Sequence, residues 1–123
     1  MARILIIDDE EPVCSMLRAM LERAGYEVME AHDGSEGLQR YQETPADVIV
    51  LDLIMPRQEG LETIPILRRL NPQVKILAIS GGGQTRETHY LQIAAALGAQ
   101  RTLAKPFRMQ ELLDTVHDLV QSA

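Results

Sequence analysis

Residues 47–56 read Asp-Val-Ile-Val-Leu-Asp-Leu-Ile-Met-Pro. The four apolar residues from Val48 to Leu51 predict a strand buried on both faces, as in a parallel sheet covered by helices. Pro56 fixes its own φ and disfavours helix at Met55, so the chain should leave the sheet just past Asp52. The carboxylate of Asp52 is therefore expected at the carboxyl end of the strand, the edge where open parallel sheets bind ligands. Taken alone, an aspartate at this point could instead cap the next helix.

Apolar runs and helical stripes alternate on both sides of this stretch. Strands are predicted at 4–7, 26–31, 47–52, 74–79 and 100–104. Helices are predicted at 12–24, 35–43, 61–70, 87–97 and 109–120, with Gly25, Asn71-Pro72 and Gly98 as stop signals. Right-handed crossovers between these elements predict an α/β fold, a doubly wound five-stranded parallel sheet of the flavodoxin-like order 2-1-3-4-5 with five helices. The chain, 1–123, is expected to form one domain.

The composition restricts the possible partners. A net charge of −6 and a pI of 5.0 argue against general binding to nucleic acids or anionic membranes, because both need a basic face. The single cysteine, Cys14, cannot form an internal disulfide, and its helical pattern predicts a half-buried thiol. Residues 1–3 lead directly into a strand without a charged, apolar or lipidated leader, so we expect no membrane anchor and a cytoplasmic location.

Polar side chains are predicted to converge at one edge of the sheet. In the order 2-1-3-4-5 the first and third strands are neighbours, so Asp8, Asp9 and Asp52 should meet in one crevice. Ser80 and Lys105 end the fourth and fifth strands at the same edge. Each residue also has a structural explanation: Asp8 and Asp9 as helix caps, Ser80 as the start of a loop, and Lys105 as a solvated charge.

The acids of this crevice would repel one another unless a cation lay among them. Their oxygens suit Mg²⁺, which is commonly bound through carboxylates plus a phosphate. With the charge offset by the metal and Lys105, one carboxylate is free to attack phosphorus and form an acyl phosphate, while Ser80 donates a hydrogen bond to the transferred group. The three histidines, His32, His89 and His117, lack metal-ligand spacing and are expected on the surface.

The whole chain resembles a response-regulator receiver domain, the phospho-accepting module of two-component signalling. Five motifs occur in family order: Asp8-Asp9, Asp52 followed by Leu53-Ile54-Met55-Pro56, Glu59-Gly60, Ser80, and Lys105-Pro106-Phe107. The resemblance implies that Asp52 is the phosphorylation site, that Mg²⁺ is held by Asp9, Asp8, Asp52 and the backbone carbonyl of Ile54, and that Ser80 and Lys105 contact the phosphoryl group. It also implies a cis Lys105-Pro106 bond.

The same resemblance indicates partners. The phosphoryl donor would be a sensor histidine kinase or a histidine phosphotransfer protein, docked on the first helix and the loop after Lys105. An unidentified downstream protein would bind the face of the fourth helix, fifth strand and fifth helix, with Arg101, Arg108, Glu111 and Asp118 exposed. The protein would promote its own phosphorylation and dephosphorylation without being a multiple-turnover enzyme, as a monomer or weak dimer that contacts neither nucleic acid nor membrane directly.

Three rival functions are weighed against this one. A flavin or nucleotide binder of the same fold needs a glycine- or hydroxyl-rich phosphate loop, but the loop after the first strand is Asp-Asp-Glu-Glu. A phosphatase of the haloacid dehalogenase type has an Asp-x-Asp signature at the nucleophile, whereas Asp52-Leu53-Ile54 lacks the second acid. A degenerate receiver that acts only as a scaffold usually lacks one of the acids or the lysine, and none is missing here.

Two positions depart from the family pattern. Thr102 stands where an aromatic residue usually acts as a switch, and Gly81-Gly82-Gly83 follows Ser80 where the family commonly has alanine. Glycines change φ and ψ at little cost, so a switch centred on the loop between Ser80 and Leu91 is predicted in place of an aromatic one.

Overall fold

The computed structural model describes residues 1–53, 59–81 and 85–122. The described chain alternates strand and helix in the order β1 Arg3–Ile7, α1 Glu11–Arg23, β2 Glu27–Ala31, α2 Gly34–Glu43, β3 Val48–Asp52, α3 Glu59–Leu70, β4 Ile76–Gly81, α4 Thr85–Leu97, β5 Arg101–Lys105 and α5 Met109–Gln121. The five strands form one sheet of order β2-β1-β3-β4-β5, and every neighbouring pair is parallel. The predicted flavodoxin-like fold is confirmed.

Two apolar layers enclose the sheet. Side chains alternate along each strand, so Val48 and Val50 of β3 pack with α1 and α5, while Ile49 and Leu51 pack with α2, α3 and α4. All five residues of β3 are buried. A strand covered on both faces needs apolar residues at consecutive positions, which explains the unbroken run that the sequence shows.

Both boundaries of β4 differ from the prediction. β4 begins at Ile76 rather than Val74, because the Gln100 side chain occupies the backbone positions that a neighbouring strand would pair: the Ile76 N–H donates to its Oε1 (2.8 Å), and its Nε2 donates to the Val74 carbonyl (2.7 Å). β4 continues through Ser80 to Gly81, which pairs in register with Lys105. Ser80 therefore lies inside the strand. The structural alternative, in which Ser80 starts a loop, is wrong.

The helical spacing of Val13, Met16, Leu17, Met20, Leu21 and Ala24 predicts the apolar face of α1, and the buried face differs from it. Cys14, Leu17 and Leu21 are buried, whereas Met16 is 45% exposed. The thiol of Cys14 is fully buried, so the prediction of a half-buried side chain was wrong. The apolar spacing of the later helices also predicts packed side chains at four positions near helix ends that are exposed in the structure: Leu70, Ala95, Leu97 and Met109.

In the part of the chain that the structure describes, the helices are too short or too polar to cross a bilayer.

Candidate functional site

The acidic crevice forms where β1 and β3 end side by side. Ile7 pairs with Leu51, so the next residue of each strand, Asp8 and Asp52, emerges at the same edge. Both carboxylates are buried, with exposures of 3% and 4%. Carboxylate oxygens of Asp8, Asp9, Glu10 and Asp52 lie within 4.8 Å of one another. The predicted convergence of Asp8, Asp9 and Asp52 is thus observed, and Glu10, which the sequence analysis did not select, joins them because it directly follows Asp9 in the turn.

Asp8 is held in place from three sides. Its backbone N–H donates to the Ala31 carbonyl (3.0 Å), its Oδ1 accepts the Glu10 N–H (2.9 Å), and its carbonyl accepts the Cys14 thiol (3.2 Å). Burial raises the pKa of the Asp8 carboxyl, and the lowering effects of the Glu10 N–H and the nearby Lys105 do not cancel this rise. Burial therefore disfavours the ionised form of this carboxyl, and a cation bound beside it would favour that form.

Lys105 supplies the cation of the site. It is the last residue of β5, and its Nζ lies 3.8 Å from the Asp52 Oδ2. Its side chain is 32% exposed, so the ammonium faces both solvent and the crevice. The Lys105-Pro106 peptide bond is cis, as the family resemblance implied.

Ser80 lies on the neighbouring strand, one position beyond the partner of Asp52. Asp52 pairs with Ile79, and the Leu53 N–H donates to the Ile79 carbonyl (2.9 Å). The Ser80 side chain is fully buried, and within the described residues its Oγ has no hydrogen-bond partner. A buried hydroxyl without a partner costs about 1–3 kcal/mol, so an incoming anionic oxygen within reach would satisfy it.

Gly60 allows α3 to start against the end of β3. A Cβ at Gly60 would lie 2.7 Å from the Asp52 carbonyl oxygen and 2.8 Å from the Leu53 Cα. Any side chain at this position would displace the backbone that carries the Asp52 carboxylate. The Glu59-Gly60 motif noted in the sequence therefore has a steric cause. The predicted metal-ligating carbonyl of Ile54 lies outside the described residues, as do Gly82 and Gly83.

An open, mainly apolar cavity of about 390 Å³ adjoins the acids. It lies between α1 and the segment after β5, with Val13, Leu17 and Phe107 in its walls and Asp8, Asp52 and Lys105 at its polar end. The exposed Met16 and Met109 also line it. These methionines therefore flank the acidic crevice and do not belong to the core.

A second cluster of possible ligand atoms involves His32. Its ring approaches Cys14 and Glu30 within 4.8 Å, a proximity that sequence spacing did not reveal because Cys14 lies on α1 whereas Glu30 and His32 lie at the end of β2. Glu30 already binds the Arg18 guanidinium (2.6 Å), and burial raises the pKa of the Cys14 thiol to about 12. These contacts favour an ion-pair network over a metal site. The three histidines are exposed, as predicted.

Asp8→Asn is expected to raise the melting temperature of the metal-free protein at pH 7 by roughly 4 °C, equivalent to about 1 kcal/mol. Asparagine keeps the Oδ1 that accepts the Glu10 N–H while removing the buried charge. Because the folded protein holds the Asp8 proton to a higher pH than the unfolded chain, wild-type stability falls as the pH rises above the ordinary pKa of 3.8. The gain should therefore shrink as the pH falls and vanish below 3.8, where the carboxyl is protonated in both states.

Calorimetry across this pH range checks the prediction. The control is Asp114→Asn, the same change at an exposed position of α5. Asp9→Asn should act in the same direction with a smaller effect, because Asp9 is exposed. Lower melting of Asp8→Asn than of wild type at pH 7 without metal would show that the acids are not mutually strained.

Comparisons with known proteins agree on one family. Residues 4–117 match the model of the response regulator receiver domain. The chemotaxis protein CheY of Thermotoga maritima is 31% identical over 94% of this chain and 94% of its own length. The alkaline phosphatase synthesis transcriptional regulatory protein PhoP of Bacillus subtilis is 34% identical over 89% of the chain, which spans only 45% of that relative.

A solved structure supports the same relationship. The chemotaxis protein CheY4 of Vibrio cholerae superposes with a TM-score of 0.86 at 33% identity, over 97% of this chain and 98% of that one. The similarity therefore covers fold and sequence together.

Proposed function

The chain belongs to the response regulator receiver family of two-component systems, and from this membership we propose that Asp52 accepts a phosphoryl group from a phosphohistidine donor in a reaction that requires Mg²⁺. The observation that carries the proposal is the contact between the Asp52 carboxylate and the Lys105 ammonium at 3.8 Å, at the buried edge where Asp8 and Asp9 converge. This arrangement combines an acceptor oxygen, a cation and a set of hard oxygen ligands in one crevice.

Each residue has a defined part in the proposed transfer. An Oδ of Asp52 forms a bond to phosphorus while the bond between phosphorus and the donor imidazole nitrogen breaks. The Lys105 ammonium lies beside the Asp52 carboxylate and balances the charge of the phosphoryl oxygens. The unpartnered Oγ of Ser80, considered within the described residues, donates to one of those oxygens.

The residues present fit Mg²⁺. Their ligand atoms are carboxylate oxygens, two of them buried, and the pKa of Asp8 is raised by burial that nearby positive charge does not offset. Asp8, Asp9 and Asp52 would hold the ion with the carbonyl of Ile54, and the bound ion would neutralise charge on the phosphoryl group. Glu10 adds a fourth carboxylate to the same cluster.

The phosphorylated chain is proposed to act as a signalling module and not as a multiple-turnover enzyme. A histidine kinase or phosphotransfer protein would dock on α1 and the segment after Lys105, beside the cavity lined by Met16 and Met109. A downstream protein would bind the face of α4, β5 and α5, where Arg101, Arg108, Glu111 and Asp118 are exposed. The protein is proposed to act in the cytoplasm as a monomer or weak dimer. It would contact neither nucleic acid nor membrane directly.

Phosphoryl transfer to the wild-type protein is expected only when Mg²⁺ is present. With acetyl phosphate as donor, intact-mass analysis should show a gain of one phosphoryl group in Mg²⁺ and no gain after a chelator removes the metal, because three nearby carboxylates otherwise repel the anionic donor. Restoring Mg²⁺ to the chelated sample should restore labelling. Equal labelling with and without the metal would contradict the proposed role of the acids.

A further inference from the structure

The carboxyl end of α4 is fastened to α3 by one arginine. The Nε and Nη2 of Arg68 both donate to the Gly98 carbonyl, at 3.1 and 2.6 Å, and Nη1 donates to the Pro72 carbonyl at 2.9 Å. Within the described ranges Arg68 forms no ion pair with a carboxylate. Its guanidinium instead meets the negative end of the α4 dipole and the backbone that follows α3.

The Arg68 side chain packs closely against Gly98, with no room for a larger residue. Gly98 has φ +123°, and a Cβ there would lie 2.8 Å from the Arg68 Nε and 3.2 Å from its Cγ. The arginine stem therefore lies directly against the Gly98 backbone. Two residues on, the Gln100 side chain binds the backbone of Val74 and Ile76, so the connection from α4 to β5 is tied to two other segments.

The last turn of α4 depends on this contact more than on packing. Tyr90 and Leu91, earlier in the helix, pack against the core and Ala94 is buried, whereas Ala95, Ala96 and Leu97 are exposed. Exposed side chains bury little apolar area, so packing alone fixes the carboxyl end of the helix weakly. By contrast, α5 buries Leu112, Thr115, Val116 and Leu119.

Helices in this fold run antiparallel to the strands, so α4 begins near the carboxyl ends of the strands and ends near their amino ends. Its carboxyl end and Arg68 lie at the edge away from Asp52, whereas its start lies at the edge of the acidic crevice. Ser80 alternates to the same face as Ala78, the face that α3 and α4 cover. A change at Ser80 therefore acts on the layer that contains α4, at the end remote from the arginine.

We propose that Arg68 is the fixed pivot of α4: its hydrogen bonds to Gly98 hold the carboxyl end of the helix still, so that phosphoryl-linked rearrangement moves the opposite end. Arg68 is thus a positioning residue for the signal. The inference rests on the proposed phosphorylation of Asp52, but the contact itself is a property of the unmodified chain.

Amide hydrogen exchange in wild type, Arg68→Met and Arg69→Met tests the pivot. Methionine keeps the aliphatic stem but not the guanidinium, and Arg69 is the adjacent exposed residue of α3 with the same charge. In the unmodified protein, Arg68→Met should speed exchange at residues 94–99 about tenfold relative to Arg69→Met, because hydrogen bonds from a charged group are lost. Arg68→Lys, which retains the charge but not the planar fork, should fall between them.

The phosphorylated samples separate a pivot from simple stabilisation. After acetyl phosphate and Mg²⁺, protection in wild type and Arg69→Met should change in the first half of α4 and stay constant at residues 97–99. In Arg68→Met the change should extend to residues 97–99 although Asp52 is labelled to the same extent. A wild-type response of equal size at both ends of α4 would overturn the pivot.

Failure of the proposed function is distinguishable from failure of the pivot. If wild-type Asp52 takes no label, the phosphorylation proposal fails, and the exchange contrast in the unmodified proteins still decides the anchor. Equal exchange at residues 94–99 in Arg68→Met and Arg69→Met would overturn it. If Arg68→Met unfolds, the same comparison is made with Arg68→Lys, and equality with wild type would have the same consequence.

Discussion

Asp52→Asn is expected to take up no phosphoryl group from acetyl phosphate under conditions in which the wild-type chain gains one. An uncharged amide oxygen is a poor nucleophile toward phosphorus, whereas the wild-type side chain offers a carboxylate oxygen 3.8 Å from the Lys105 ammonium. The change preserves the size of a side chain that is only 4% exposed, so the variant should fold. Intact-mass analysis over a time course measures the loss.

The matched control is Asp114→Asn, the same chemical change at an exposed position of α5. It should be labelled at the wild-type rate. Labelling of Asp52→Asn equal to wild type would place the acceptor elsewhere and refute the assignment. Asp8 would then be the first alternative acceptor, because it is the other buried carboxylate at the end of a strand in the same crevice.

Lys105→Met is expected to slow phosphoryl transfer to Asp52 by about 100-fold, the effect of removing one preorganised charge that faces a reacting group. The ammonium lies 3.8 Å from the Asp52 Oδ2, at the point where negative charge on the phosphoryl oxygens must be accommodated. Methionine preserves the unbranched apolar stem while removing the charge. Initial labelling rates at several acetyl phosphate concentrations give the size of the effect.

Lys75→Met is the control, because Lys75 immediately precedes β4 at the opposite edge of the sheet and is the only other lysine of the chain. It should leave the rate unchanged. Mg²⁺ binding should be retained in Lys105→Met, since removing a cation beside Asp8 and Asp52 strengthens the attraction of the remaining acids for the metal. A variant that lost metal binding together with its rate would show that Lys105 supports the site structurally and does not act on the phosphoryl group.

The architecture and the principal site residues followed from the sequence because the signals involved are local. A run such as 48–51 is apolar at every position only when both faces of the strand are covered, and helical stripes lie between such runs. Once the strand order was inferred, residues at strand ends had to share an edge. Asp8, Asp9, Asp52 and Lys105 were therefore selected correctly as neighbours.

Other features depended on contacts between segments that are distant along the chain. The extension of β4 through Ser80 is set by pairing with β5, and its late start by the Gln100 side chain. The full burial of Cys14 depends on how α1 rests on the sheet.

Gly60 and Gly98 show the same division at single residues. The sequence marks Gly98 as the end of a helix and Gly60 as part of a family motif, and nothing nearby in the chain says what each of them touches. The folded chain places the backbone of Asp52 against Gly60 and the guanidinium of Arg68 against Gly98. Periodicity along the chain determined the elements and their order, because it reports which faces are buried; close approach through space determined these contacts, because it exists only after the elements have packed.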